Sequence, residues 1–214
     1  NTHLVEYVAV SAGTFDQSFL QVPREVLITA MREHQKYFAV VGADGQLLPC
    51  FIAVNNTPAE DIDVVTSGHE RVLRARLEDA RFFYQVDAKK PLQEIVDRLE
   101  GVLFQAKLGT MLEKVGRIQK LAEHLADLTA PEVKDSASRA AWLCKADLTT
   151  QMVNEFPKLQ GVMGRVYARL SGESETAARA IEEHYLPTHA GGALPETVPG
   201  SLVSIADKLD TICG

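Results

Sequence analysis

The helices of the C-terminal half are set by residues 145–165, KADLTTQMVNEFPKLQGVMGR. The first part of this stretch has the apolar spacing of a helix, and Asp147 falls at the centre of that predicted helix. Pro157 disfavours the helical conformation at the preceding residue, so this helix should end near Phe156. A second helix is predicted from Val162, after a glycine. Because an aspartate on an apolar helix face is rare, Asp147 must be solvated or paired.

The composition of the chain indicates a globular protein. The chain has 214 residues, of which 46% are hydrophobic and 24% charged, which is typical of a globular protein with one large or two smaller cores. The formal net charge is −7, so any contact with nucleic acid is expected to be local. No apolar run is long enough to span a membrane. The chain lacks an initial Met and stops at Gly214 just after apolar residues, which suggests a fragment of a longer protein.

The three cysteines indicate a reducing compartment, and we therefore expect a cytoplasmic protein. They are Cys50, Cys144 and Cys213, which are far apart and form no CxxC pair. This pattern argues against both a disulfide framework and a zinc knot.

The N-terminal part is predicted to mix strands and helix. Two apolar runs, 37–41 and 47–54, flank an Asp-Gly pair and predict a β-hairpin. Pro23 stands at the first turn of a predicted helix. The other segments predicted here are a strand over 3–10, a turn at Gly13, an extended segment over 15–21 and a polar loop over 55–67.

From residue 70 onward the pattern is helical. Pro91 starts a helix whose apolar pattern continues to Leu103, and Thr110 with Glu113 forms a predicted capping box. Later helices are predicted over 135–156, 162–170, 174–185 and 201–212. We therefore predict an α+β domain over residues 1–90, an all-α domain over 91–214, and a mainly α chain overall.

Two aspartates in the helical half form the first candidate site. Asp147 and Asp207 each follow an alanine, and within an all-helical domain they resemble the HD superfamily of metal-dependent phosphohydrolases. In that superfamily an early histidine, a His-Asp doublet and a late aspartate hold a divalent metal that activates water. Here Ala146 stands at the doublet histidine, and Lys114 or Arg117 stands at the first histidine. A cation cannot replace an imidazole ligand, so we predict a degenerate HD domain with no metal and no catalytic residue.

Two other interpretations of these aspartates remain open. They can be structural, paired with basic residues and holding the helices together; the candidates are Lys114, Arg117, Lys145 and Lys208. Alternatively, His124 or His184 rebuilds a metal site with them.

The RNA-binding candidates lie in the N-terminal part. Arg71, Arg74 and Arg81 fall near one helix face, with Arg76 between them, and such a face suits phosphate contacts. Pairing within the helix, for example between Arg74 and Glu78, is the structural alternative. The end of the preceding helix carries a second set of candidates, which consists of His34, Lys36 and Tyr37. These residues could contact RNA by charge and stacking, or their cations could simply interact favourably with the helix dipole. No Walker loop, GxGxxG motif or hydrolase triad is present, so no ATP site is predicted.

Several blocks along the chain carry a family resemblance. Residues 145–168, KADLTTQMVNEFPKLQGVMGRVYA, resemble the signature of the beta subunit of two-subunit bacterial glycyl-tRNA synthetase. The blocks PREVLITAMREHQKYF, ERVLRARLEDARFFYQVD, KLGTMLEKVGRI, IEEHYLP and ADKLDTICG are similar to pieces of the same family, in the same order. His69 and Lys158 depart from its pattern, at positions that we expect to lie in loops.

The resemblance implies a non-catalytic role within a ligase. Glycine activation, with ATP and Mg, would belong to a separate alpha chain. The beta chain would position tRNA(Gly) and hold the alpha chain, with a degenerate HD domain among its parts. The partners implied are the alpha subunit and tRNA(Gly), with neither DNA nor membrane. An active HD phosphohydrolase and a helical protein-interaction domain are the alternative functions.

Overall fold

The structure, a computed structural model, describes residues 5–58 and 60–214. It divides into two compact units, Asn1–Gln85 and Val86–Gly214. Helices predominate after a small N-terminal sheet, which confirms the predicted fold class. In the described part of the chain, no helix combines the length and the apolar character that crossing a bilayer requires.

The first unit is built on a three-stranded antiparallel sheet. Its strands are β1 (Ala9–Thr14), β2 (Phe38–Val41) and β3 (Leu47–Asn55), in the order β1-β3-β2. The predicted hairpin is confirmed, because β2 and β3 pair antiparallel on either side of the Asp-Gly turn. Two helices complete the unit, α1 (Arg24–Gln35) and α2, which begins at Ile62 and ends at Asp87.

Several predictions for this unit are wrong. Gly13 lies within β1 and makes no turn; a Cβ there would be 2.5 Å from the Phe51 ring, so the glycine allows the close approach. The segment predicted as extended contains a 3₁₀ helix over Gln17–Gln21. The predicted polar loop ends early, because the Asp61 carboxylate accepts hydrogen bonds from the first amides of α2. The predicted strand over 3–10 falls partly outside the described residues, and β1 begins at Ala9.

The second unit is helical and carries one short hairpin. Its first elements are α3 (Leu92–Val96), the hairpin strands β4 (Leu103–Gln105) and β5 (Gly109–Thr110), and α4 (Met111–Thr129). These are followed by α5 (Lys134–Leu143), α6 (Gln151–Glu155), α7 (Val162–Leu170), α8 (Glu175–Glu183) and α9 (Val198–Cys213). The predicted capping box is confirmed: the Thr110 hydroxyl accepts from the Glu113 amide, and the Glu113 carboxylate accepts from the Thr110 amide.

Two long predicted helices are shorter than expected. The helix after Pro91 ends at Val96, and the chain then passes through a 3₁₀ turn into β4. The helix predicted over 135–156 is split into α5, a 3₁₀ turn over Ala146–Thr149, and α6. Asp147 therefore lies in a 3₁₀ turn and not at the centre of a helix. The predicted boundaries near Phe156 and at Val162 are confirmed.

Candidate functional site

A cluster of buried charges lies inside the helical unit. Asp207, on α9, is held between two ammonium groups: its Oδ1 is 3.1 Å from Lys114 Nζ and its Oδ2 is 2.8 Å from Lys145 Nζ. The side chains of Lys114 and Lys145 are only 4% and 7% exposed. The contact between Lys114 and Asp207 is an ion pair without hydrogen-bond geometry, since Asp207 Oδ1 has no hydrogen-bond partner among the described residues.

A second aspartate, Asp210, completes this cluster and was not predicted. Its carboxylate lies 2.9 Å from Lys114 Nζ and 2.6 Å from Arg117 Nε. Asp210 follows Asp207 by three residues on α9, so the two carboxylates share one helix face. That spacing was the available signal in the sequence. Both residues predicted at the first histidine position therefore bind the same carboxylate.

Aromatic rings line the cationic side of the cluster. Lys114 Nζ lies 4.4 Å from the centre of the Phe104 ring, and Lys145 Nζ lies 4.1 Å from the centre of the Tyr185 ring. Such contacts between an ammonium group and a ring face are attractive and become stronger when water is excluded. Both lysines are thus held by a carboxylate and by a ring.

The electrostatics of Asp207 follow from this geometry. Burial alone would raise the pKa of its carboxyl, but the charge of Lys145 and its hydrogen bond, with the more distant charge of Lys114, outweigh burial and lower the pKa to about 2. Asp207 is therefore ionised at neutral pH. Its negative charge is already compensated by two ammonium groups, which leaves little attraction for a divalent cation.

Asp147 has a different role. It is fully buried, and its Oδ2 accepts hydrogen bonds from the backbone amides of Gly161 at 2.7 Å and Gly164 at 3.0 Å. These amides lie at the start of α7, so the carboxylate fastens the 3₁₀ turn to that helix. The other oxygen, Oδ1, has no hydrogen-bond partner among the described residues. Burial raises the pKa of Asp147 to about 6, against the opposing effect of the two amides.

Ala146 is fully buried beside Asp147, and the two candidate histidines occupy different environments. His184 is fully buried, its Nδ1 lies 2.5 Å from the Ile181 carbonyl oxygen, and burial lowers its pKa well below the usual value. His124, by contrast, is exposed on α4. Within residues 5–58 and 60–214, no three His, Cys, Asp or Glu side chains are grouped to hold a metal ion.

The RNA-binding candidates at the end of α1 separate into exposed and buried residues. His34 and Lys36 are exposed, and Lys36 adopts a left-handed conformation with φ 57° at the helix end. Tyr37 is buried: its ring stacks on Phe51 with centroids 4.7 Å apart, and its hydroxyl lies 2.8 Å from His69 Nδ1. Tyr37 is therefore a core residue whose stacking surface is already used, which argues against the predicted contact with an RNA base.

His69 itself lies within α2, so the expectation of a loop at this position is wrong. Its second ring nitrogen, Nε2, is 2.8 Å from the Asn55 side-chain oxygen. The imidazole thus joins β3 to the tyrosine that follows α1. The other departure from the family pattern, Lys158, lies in a 3₁₀ turn over Pro157–Leu159.

The arginine candidates all lie on α2. Arg71 and Arg74 are exposed, and Arg76 and Arg81 are partly buried. The guanidinium carbon of Arg81 lies 4.5 Å from the centre of the Phe19 ring, so this side chain also covers apolar surface. The first two arginines are consequently the most accessible cations of the four.

Comparisons with known proteins identify relatives across the whole chain. Residues 1–214 match the family described as glycyl-tRNA synthetase beta subunit. The chain is 60% identical over 212 residues to the glycine–tRNA ligase beta subunit of Geobacter sulfurreducens, with 99% of this chain and 31% of that protein covered. It is 60% and 58% identical to the proteins of the same name from Geotalea uraniireducens and Geotalea daltonii, each over 213 residues, 100% of this chain and 31% of the relative.

These matches confirm the resemblance drawn from the sequence blocks. The chain spans 31% of the length of these curated relatives.

We predict that Asp207→Asn destabilises the helical unit by about 3–5 kcal/mol, because it leaves the buried Lys145 ammonium group without its charged partner. It also removes one of the two carboxylates beside Lys114, which keeps Asp210. The matched control is Asp127→Asn, which breaks the exposed pair with Lys134 and should have a much smaller effect on stability. Urea unfolding followed by the fluorescence of Trp142 measures both. Equal effects of the two substitutions would contradict a buried structural pair.

We also predict a pH dependence that belongs to Asp147. The pKa of Asp147 is about 6 in the folded protein, whereas an aspartate in the unfolded chain has the ordinary pKa of 3.8. Between these two pH values the folded chain therefore binds more protons than the unfolded chain. The stability that Asp147 contributes is therefore complete below the lower value and is lost as the pH rises through the higher one.

Asp147→Asn removes this titration and serves as the comparison. The free energy of unfolding of the wild type, minus that of Asp147→Asn, should fall as the pH rises from 3.8 to about 6. The lowered pKa of His184 acts in the opposite direction below 6.5, but it is common to both proteins and cancels. A difference that stays constant or grows over this range, measured by urea titration, would refute the assignment.

Proposed function

Because this chain belongs to the glycyl-tRNA synthetase beta subunit family, we propose that it is part of a beta subunit that supports the ATP-dependent attachment of glycine to tRNA(Gly) in the cytoplasm. Its role is to position the tRNA and to hold the alpha chain. The chemistry of glycine activation, with ATP and Mg, belongs to the alpha chain. The helical unit is a degenerate HD domain that serves as structure.

The observation that carries this proposal is the pair of ammonium groups around Asp207. An HD phosphohydrolase holds its metal with neutral imidazoles and ionised carboxylates. In this chain Lys114 and Lys145 are buried against the late aspartate, and Asp147 is engaged by backbone amides. The side chains that would hold a metal therefore hold the helices together, which supports a scaffold over a hydrolase.

A tRNA contact on this chain has to be local. The net charge is −7, so the chain as a whole repels a polyanion. The exposed cations on α2, Arg71 and Arg74, present two positive charges three residues apart on one helix. Guanidinium groups bind phosphate oxygens through paired hydrogen bonds, so this face is the proposed phosphate contact. His34 and Lys36, exposed at the end of α1, are the second candidates.

Divalent metal binding separates the scaffold from a working phosphohydrolase. Calorimetric titration of the protein with manganese should give no stoichiometric binding, because the carboxylate of Asp207 is already neutralised. The double variant Asp147→Asn with Asp207→Asn provides the control, once its far-UV circular dichroism has been shown to match that of the wild type. If manganese binds the wild type and not this variant, a metal site exists between these aspartates and the scaffold proposal is wrong.

Charge reversal tests the proposed phosphate contact. In the full-length beta subunit assembled with the alpha chain, Arg71→Glu with Arg74→Glu should weaken tRNA binding and reduce the salt slope by about 2, one for each lost contact. The matched control is Lys89→Glu with Lys90→Glu, an equal charge change at two other exposed positions. The same loss of affinity in both variants would indicate a general effect of charge, and a loss of stability alone would make the arginines structural.

A further inference from the structure

The sheet of the first unit has two apolar faces. Its inner face carries Phe51 and Ala53, each 1% exposed, which belong to the core of the unit. Along the strands the side chains alternate between the faces, so the residues between these two point away from that core. On the outer face, Val10 pairs with Val54, and Ile52 lies between Ala12 and Phe38.

This outer face contains no charged side chain at its paired strand positions. Its members from the three strands are Val10, Ala12, Thr14, Phe38, Leu48, Cys50, Ile52 and Val54. Val10 is 58% exposed and Phe38 is 48% exposed. Val8, which precedes β1 and has the same parity, is 63% exposed. The apolar surface therefore extends across all three strands and ends at Thr14, whose hydroxyl donates a hydrogen bond to the Glu70 carboxylate at 3.0 Å.

Such a face is unusual for an antiparallel sheet in contact with water. Sheets of this kind normally bury one face and present polar side chains on the other. Sheets buried on both faces carry apolar residues at successive positions, as the FIAV run of β3 does here. Large contiguous apolar patches on a folded protein mark interaction surfaces.

The chemistry of the face limits what can cover it. RNA requires cations for its phosphates, and the paired strand positions of this face provide none. Interfaces between separately folded partners are usually about as polar as the rest of a protein surface, whereas permanent packing is more apolar. The absence of charge from the strand positions therefore favours a permanent neighbour over a dissociating one.

We infer that the outer face of this sheet packs against another part of the same beta chain, which lies outside these 214 residues and presents an apolar layer to it. The matched region is 31% of the length of the relatives, so most of a beta chain of that length lies outside it and can supply such a layer. The contact requires no tRNA and no alpha chain. The inference therefore stands or falls separately from the proposed role in aminoacylation.

Thiol labelling of the full-length beta subunit tests this inference. Val10→Cys places a thiol at an exposed position of the face, and the native Cys50 lies on the same face without any substitution. The matched control is Ala43→Cys, at an exposed position in the hairpin turn. Maleimide modification of each thiol, followed over time by peptide mass spectrometry in the beta subunit alone, gives the rates.

The expected result is labelling at Val10→Cys and at Cys50 about 10-fold or more slower than at Ala43→Cys, because reaction requires a local opening of the covered face. Rapid labelling at both positions would overturn the inference. Protection that appears only when the alpha chain is added would assign the face to the alpha chain instead. Protection that is lost on dilution of the beta subunit would assign the face to a second copy of the beta subunit. Either of these last two outcomes would also overturn the inference. If Val10→Cys fails to fold, Ala12→Cys, at the next exposed position of the same face, replaces it, because Cys50 is already partly buried within these residues.

Discussion

The helical unit depends on one carboxylate placed between two buried ammonium groups. Asp207 on α9 lies 3.1 Å from Lys114 on α4 and 2.8 Å from Lys145, which follows α5. Charges this deeply buried are tolerated only when they are paired in good geometry, since the loss of hydration is otherwise prohibitive. The pairing therefore fixes how three separate parts of the chain meet.

Asp147 shows that two aspartates with similar local sequence can have opposite roles. Asp207 meets cations, and its pKa is lowered to about 2. Asp147 meets backbone amides, and burial raises its pKa to about 6. The first carboxylate joins helices through charge, whereas the second fixes the start of α7 through Gly161 and Gly164. A side chain at Gly164 would lie 2.6 Å from Ile181, so the small residue is also required for this close packing.

The candidate site was only partly predictable from the sequence. Ala146 and a basic residue at the positions where the HD pattern has histidines are visible in the sequence, and they led to the prediction of a degenerate metal pocket. The partner of each aspartate was not visible, because Lys114 and Asp207 are far apart in the chain and either aspartate had several basic candidates. Asp210 was missed for a related reason. Its contacts depend on which face of α9 is turned toward Lys114 and Arg117, and the spacing of apolar residues along the helix does not determine this.

For the fold, local sequence was sufficient wherever the determining contacts are local. The hairpin around the Asp-Gly pair, the Thr110 capping box and the end of α6 before Pro157 each depend on a few adjacent residues. The break between α5 and α6 depends instead on amide donors that lie 14 and 17 residues beyond Asp147. Likewise, Tyr37 looked like an accessible ring at a helix end and became a core residue through Phe51 and His69. Such outcomes require the packed structure, because a hydrogen bond or a buried contact between distant residues leaves no periodic signal in the sequence.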